Sequence, residues 1–192
     1  MRLWHARIVV YSLVTAVIAG VSWYCYWDAT RTKEPQVIYV STPPDAVDKM
    51  LEMAQVTKDD VVYDLGCGDG RIVIAAAKKY GCRAVGVELR PEVVEEARRN
   101  AVEAGVEDLV EIRHADILTT DFSDATVVAM YLLPDLNVRL IPKLNQLRPG
   151  SRVVSYTFKM PGVPPKEKAQ WKKGEHERIV YLWVTPIPAP KP

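Results

Sequence analysis

Hydrophobic residues follow two regimes along this chain: one unbroken run near the amino terminus, then short packets separated by polar turns. Between Arg7 and Asp28 stand twenty residues without a charge, IVVYSLVTAVIAGVSWYCYW. At about 1.5 Å per helical residue they reach roughly 30 Å, the thickness of a bilayer's hydrocarbon. Trp4 sits at one end and Trp23, Tyr24, Tyr26 and Trp27 at the other, where interfacial aromatics anchor a span. The exit lacks the small residues of a cleavage site. The pattern predicts a retained transmembrane helix within residues 1–27, then a polar tether over 28–42 that becomes extended at Val37-Ile38-Tyr39-Val40. Arg2 and Arg7 on one flank and Arg31 and Lys33 on the other nearly balance, so charge alone leaves the orientation open.

Beyond the tether the periodicity alternates between two and 3.6. Thr42-Pro43-Pro44-Asp45 opens a helix carrying Val47, Met50, Leu51 and Ala54 on one side. Short apolar packets at 61–65, 84–88, 110–113, 126–131 and 152–157 read as strands. Helical segments fall between them: Ile72 to Tyr80, a helix started by Pro91 and ended by Gly105, and Pro134 to Leu147 with Leu136, Leu140, Leu144 and Leu147 as a stripe. Strands alternating with helices predict an α/β fold, a doubly wound and mostly parallel sheet with right-handed crossovers. Ala169 to Lys172 and Arg178 to Thr185 flank Gly174 and predict a C-terminal antiparallel hairpin. The catalytic or binding domain should thus occupy 43–185, with Pro-rich 186–192 a disordered tail.

Composition adds exclusions. With 192 residues and 48% hydrophobic content there is one domain's worth of core. A net charge of +1 predicts no nucleic-acid partner, and Lys166, Lys168, Lys172 and Lys173 read as a solvated surface. Cys25, Cys67 and Cys82 have no CxxC spacing and His5, His114 and His176 are scattered, so no metal is expected.

The candidate chemistry lies at VVYDLGCGDGR, residues 61–71, where a strand runs into alternating glycines. A backbone that bare suits positive φ or the close approach of another group. Both dinucleotide-binding and methyl-transferring enzymes use such a turn. In the dinucleotide pattern G-x-G-x-x-G the third position packs a helix against the sheet. Here Arg71 occupies it, which counts against a nicotinamide cofactor. The arrangement Asp64, Gly66, Gly68, Gly70 instead resembles the first motif of class I S-adenosylmethionine-dependent methyltransferases, and the resemblance gives Asp64 the methionine end. Glu88 closes the second strand 22 residues beyond Gly66, where a carboxylate accepts from both ribose hydroxyls. Asp116, after the third strand, stands where such enzymes read the adenine amino group. Cys67 near a helix start invites a nucleophile reading, but a small residue is needed there anyway.

After the fourth strand stands Met130-Tyr131-Leu132-Leu133-Pro134-Asp135, which departs from the Asn/Asp-Pro-Pro-Tyr run of enzymes that methylate base amines or glutamine. Together with Tyr39-Val40-Ser41-Thr42-Pro43, VGVELRP, YLLPDLN and LRPGSRVVSYTFKMPG, the chain is similar to the mitochondrial protein-lysine methyltransferases acting on the ATP synthase c-subunit and the adenine nucleotide translocase, and to their archaeal and bacterial relatives. The likeness runs from about Tyr39 to Pro165, with Ser41 a departure. It implies S-adenosyl-L-methionine as cofactor and a lysine amine of a protein as acceptor, a membrane protein among the candidates. Tyr39 and Thr42 would cover the methionine end and Tyr131 would line the acceptor channel as the catalytic position, with Tyr156 and Phe158 as further aromatic walls. It also implies a single-pass membrane protein with its domain on the cytosolic or mitochondrial matrix side, where the cofactor is available. A small-molecule O- or N-methyltransferase and a non-catalytic S-adenosylmethionine-binding module remain as alternatives.

Overall fold

The computed structural model describes residues 20–23 and 40–191. The chain divides into two units, Met1–Tyr39 and Val40–Pro192; of the first, residues 20–23 are described, and they are helical.

The second unit is built as the alternating pattern requires. Its elements run α1 (Pro44–Met53), β1 (Val61–Leu65), α2 (Arg71–Tyr80), β2 (Arg83–Glu88), α3 (Pro91–Glu103), β3 (Val110–His114), β4 (Val127–Met130), α4 (Pro134–Leu144), β5 (Arg152–Tyr156), β6 (Glu167–Lys173) and β7 (His176–Val184). They form a seven-stranded sheet ordered β3-β2-β1-β4-β5-β7-β6. Strands β1 to β5 pair parallel, and β7 pairs antiparallel with both β5 and β6. Three helices begin with proline in the first turn, where the missing N–H costs nothing.

Strand alternation divides the core. Val62, Ala84, Val127, Ala129 and Val154 pack with the apolar sides of α1, α2 and α3. Tyr63, Leu65, Val85, Val128, Met130 and Val153 face the other way and pack with Leu140, Ile141 and Leu144 of α4 and with Trp183. In parallel strands, registered partners point to the same face. Asp64 pairs with Gly86 and Leu65 with Val87, so Asp64, Gly86 and Glu88 all project towards the α1–α3 side, at the carboxyl ends of β1 and β2. Ligands of open α/β sheets bind at that edge, where the strand order reverses beside the first strand.

Three expectations are corrected. The single-pass membrane placement, with the domain on the cytosolic or matrix side, is not upheld: among the described residues no helix is long and apolar enough to cross a membrane. The apolar run behind that expectation lies outside the described residues except at 20–23. The Pro-rich end is held rather than loose as far as residue 191. Asn145 brackets Ile187, accepting from its N–H at 2.7 Å and donating to its carbonyl at 2.9 Å, and the Lys191 N–H bonds the Gly162 carbonyl at 3.0 Å. Ile187 is buried, so an apolar plug anchors a segment whose prolines suggested disorder. Finally, α4 stops at Leu144, three residues before the expected end, with Asn145 as its cap.

Candidate active site

The glycine turn leaves β1 with three left-handed residues, Gly66 at φ 82°, Gly68 at φ 55° and Gly70 at φ 81°. A side chain at Gly66 would also stand 3.1 Å from Leu132 Cδ2, and one at Gly70 would stand 3.3 Å from Ala97 Cβ of α3. The turn is tied to β2 by the Gly66 and Cys67 N–H groups, which donate to the Val87 carbonyl at 2.8 and 3.0 Å. It is tied to Glu88 as well: the Gly68 N–H donates to Oε2 at 3.1 Å. Oε1 of Glu88 accepts from the Leu89 and Arg90 N–H groups and from Arg90 Nε, at 3.0 to 3.1 Å. One carboxylate oxygen is therefore saturated by the protein while the other retains capacity at the mouth of the turn.

Asp64 is the opposite case. Its carboxylate is buried and makes no hydrogen bond among the described residues. Burial, and then the nearby Asp69 and Glu88, push its carboxyl up to about 8. A buried acid without a partner calls for a cation. Asp60 shows that the fold satisfies buried acids when they are structural. It sits just before β1, at the other edge of the sheet, and accepts from the Thr57 N–H and Oγ1, Thr126 Oγ1 and Arg152. Although burial opposes them, those bonds hold its carboxyl below the ordinary value.

Arg71, which read only as an obstacle to nicotinamide binding, has a positive role in the geometry. It forms a two-nitrogen pair with Asp69 and donates Nη1 to the Thr42 carbonyl at 2.8 Å. The side chain of Asn100 steadies the same loop through the Asp69 carbonyl at 2.9 Å. Thr42 is buried and thus bolted to the glycine turn; Tyr39 lies outside the described residues. The signal for this latch was in the sequence, an Arg two residues after an Asp at a helix start, but its target is 29 residues upstream.

Asp116 is exposed, three residues past the Arg113 position of β3. Its Oδ1 accepts from the Leu118 N–H at 2.8 Å, and its loop is held against β2 by Ala115 N–H to the Glu88 carbonyl at 3.0 Å. Tyr131, just beyond β4, meets Tyr156 edge-on at 4.9 Å between centroids and stacks with Phe158 at 5.8 Å. Arg178 donates to the Tyr156 hydroxyl at 3.0 Å. The described residues at issue therefore converge on one edge of the sheet. Cys67 is present but inert: burial first, then Asp64 and Glu88, push its thiol well above the ordinary value, so no thiolate forms there near neutral pH.

Gly86 has a function not foreseen from the strand pattern. A Cβ there would lie 2.6 Å from Cys67 Sγ and 2.9 Å from Ile112 Cδ1. Gly86→Ala is expected to cost about 1–3 kcal/mol through overpacking, lowering Tm by roughly 2–4 °C for each kcal/mol. Because Cys67 lies between two turn glycines, affinity for S-adenosylhomocysteine should fall with it. A melt and a titration both equal to the parent's would show that the turn is not wedged by this contact.

Comparison with known proteins agrees with the geometry. Residues 64–167 match the family model of the ANTKMT methyltransferase domain. A protein-lysine N-methyltransferase of Saccharolobus islandicus (strain REY15A) is 47% identical over 152 residues, covering 78% of this chain and 94% of that protein. The mouse lysine N-methyltransferase of the ATP synthase c-subunit is 33% identical, covering 80% of this chain and 64% of that protein. A crystal structure of an RNA methyltransferase from Salinibacter ruber, in complex with S-adenosyl-L-homocysteine, superposes with a TM-score of 0.73 at 48% identity, covering 80% of this chain and 98% of the other. The residues here fit that kind of ligand, a partnerless buried acid for its ammonium and an open carboxylate oxygen beside a bare turn. This chain belongs to the ANTKMT methyltransferase domain family and is an S-adenosylmethionine-dependent methyltransferase.

Proposed function

We propose that this chain transfers methyl groups to lysine amines of a protein substrate. The observation that carries the reading is the aromatic cluster Tyr131, Tyr156 and Phe158 at the carboxyl ends of β4 and β5, on the same sheet edge as the glycine turn. The cofactor supplies a methyl already activated on a sulfonium. What the chain must supply is alignment and a neutral amine. Holding the two reactants in line accounts for several kcal/mol of barrier, about 7–11 at its upper range. An aromatic wall strips water from the amine, and a neighbouring cationic sulfonium disfavours ammonium further. No dedicated general base is needed in this scheme.

In the same proposal Asp64 takes the cofactor's ammonium, Glu88 its ribose, Asp116 its adenine amine, and Gly66, Gly68 and Gly70 allow close approach. Thr42, with Tyr39 before it, covers the methionine end, and Tyr131 lines the acceptor channel. Two of the relatives are themselves named as lysine methyltransferases, which supports the acceptor class. The finer reading is a membrane-protein target.

RNA is the second reading, raised by the likeness to the Salinibacter RNA methyltransferase. Against it stands the net charge of only +1. Tritium transfer from labelled S-adenosylmethionine into an extract decides between them, with membrane and soluble fractions counted separately. Label removed by protease and recovered as methylated lysine is the expected outcome. Label removed by ribonuclease, or confined to low-molecular-weight material, would overturn the reading.

A further inference from the structure

The aromatic cluster depends on a backbone feature that no glycine marks. Thr157, directly after β5, has φ 64°, and the Phe158 N–H donates to the Tyr156 carbonyl at 2.7 Å. A hydrogen bond spanning two residues around a positive φ is the rarer form of γ-turn. For a β-branched residue that conformation is a real outlier, and it persists only where the surroundings over-determine it.

The surroundings are identifiable. The Thr157 N–H is fixed to the Ile179 carbonyl of β7 at 2.8 Å. The Phe158 carbonyl accepts from two side chains, Ser155 Oγ at 2.7 Å and Asn137 Nδ2 at 3.3 Å. Both donors are wholly buried. Asn137 lies in the first turns of α4, on the face that packs against the sheet with Leu140, Ile141 and Leu144. Its Oδ1 is buried with no hydrogen-bond partner among the described residues. An amide that leaves half of its polar group unsatisfied in a core is costly, and an aliphatic side chain would be cheaper. Among the described residues its side-chain hydrogen bond is the donation to the Phe158 carbonyl.

The two rings flanking the turn, Tyr156 and Phe158, are the two that contact Tyr131. Reversing the chain at Thr157 lets residues on either side of the bend meet the same ring. Relaxation of Thr157 to an extended conformation would swing Phe158 away from Tyr131.

We infer that Asn137 and Ser155 are positioning residues for methyl transfer: by clamping the Phe158 carbonyl they hold Thr157 at positive φ and fix the Phe158 ring against Tyr131. The inference rests on the reading of Tyr131 as the wall of the acceptor channel. The clamp acts on the acceptor side alone, because neither residue bonds to the glycine turn or to Glu88.

The test uses Ser155→Ala, the smaller disturbance, and the double variant Ser155→Ala with Thr157→Gly. Each full-length protein is checked for folding by circular dichroism. S-adenosylhomocysteine affinity is measured by calorimetry, and the rate of tritium transfer is measured into extract from cells lacking this chain. Displacing an acceptor wall by a fraction of an ångström to one ångström is expected to slow transfer about tenfold to a hundredfold, with cofactor affinity changed less than twofold. Glycine adopts the left-handed conformation freely, so the double variant should regain most of the lost rate. The inference is overturned if Ser155→Ala transfers at the parental rate, if its cofactor affinity falls in parallel, or if the folded double variant is no faster than the single one. Whether wild-type label enters protein or RNA tests the acceptor class separately.

Discussion

Glu88→Ala should leave a folded protein with markedly weaker cofactor binding. Oε2, which already accepts from the Gly68 N–H, has room for one ribose hydroxyl; a hydrogen bond to a charged acceptor is worth about 1.5–3 kcal/mol, so its loss lowers affinity by roughly 10- to 10²-fold. The fold is expected to suffer less. The Leu89 and Arg90 N–H groups lose their carboxylate where water can reach them, while the buried Gly68 N–H loses its partner outright. A loss of about 1–3 kcal/mol in stability is the expected scale. Glu88→Gln discriminates further. Its amide nitrogen would confront either the saturated side, with its three donors, or the Gly68 N–H, so the isosteric change should also fail. Calorimetry with S-adenosylhomocysteine, alongside circular dichroism to establish folding, reads both effects. Undiminished binding by either variant would remove Glu88 from the ribose and with it the placement of the cofactor along β2.

How far the site was legible in the chain follows from what kind of signal each residue carries. Asp64, Gly66, Gly68, Gly70 and Glu88 belong to one strand–turn–helix–strand unit, so short-range spacing brings them together. The parallel sheet was legible because buried strands separated by amphipathic helices have few other ways to pack. The position of β7 was not. Both hairpin strands carry alternating apolar residues, and nothing local tells which will pair with β5. Arg71 and Thr42 are joined across 29 residues by a guanidinium that reaches a backbone carbonyl, and no residue pattern encodes a carbonyl. Asn137 was hidden on a leucine-rich helix whose buried side is rotated from the expected stripe: Asn137, Leu140, Ile141 and Leu144 are buried. Thr157 was hidden because left-handed backbone is normally announced by glycine or asparagine. The apolar amino-terminal run shows the reverse limit, where a composition signal clear in the chain has no counterpart among the described residues.

Cofactor binding should also strengthen with rising pH, and Asp64→Asn should lessen the protein's loss of stability as pH rises. In the free enzyme the carboxyl of Asp64 titrates near 8, raised by burial and by Asp69 and Glu88. In the unfolded chain it titrates near 3.8. Between those values the folded state holds a proton that the unfolded state has lost. The group's contribution is therefore fully present below about 3.8 and declines as pH rises through 8. At about 1.4 kcal/mol per pH unit, the ionised acid costs the free enzyme on the order of 5 kcal/mol above pH 8. Asparagine cannot ionise, so Asp64→Asn should match the parent's Tm near pH 5 and exceed it by roughly 6–12 °C at pH 9, taking about 3 kcal/mol as the realised gain after the amide's own burial. The same substitution should abolish tight cofactor binding if, as proposed above, Asp64 meets the cofactor's ammonium. For the parent, a bound ammonium lowers the carboxyl's pKa, so binding expels a proton below pH 8. Affinity should rise about tenfold per pH unit from 6 towards 8, until the ligand's own amine titrates. Calorimetry of S-adenosylhomocysteine binding in two buffers of different ionisation enthalpy at pH 7 measures that proton directly. A release near one proton per site is the expected value; no release, with affinity flat from pH 6 to 8, would mean that Asp64 does not face the cofactor's amine.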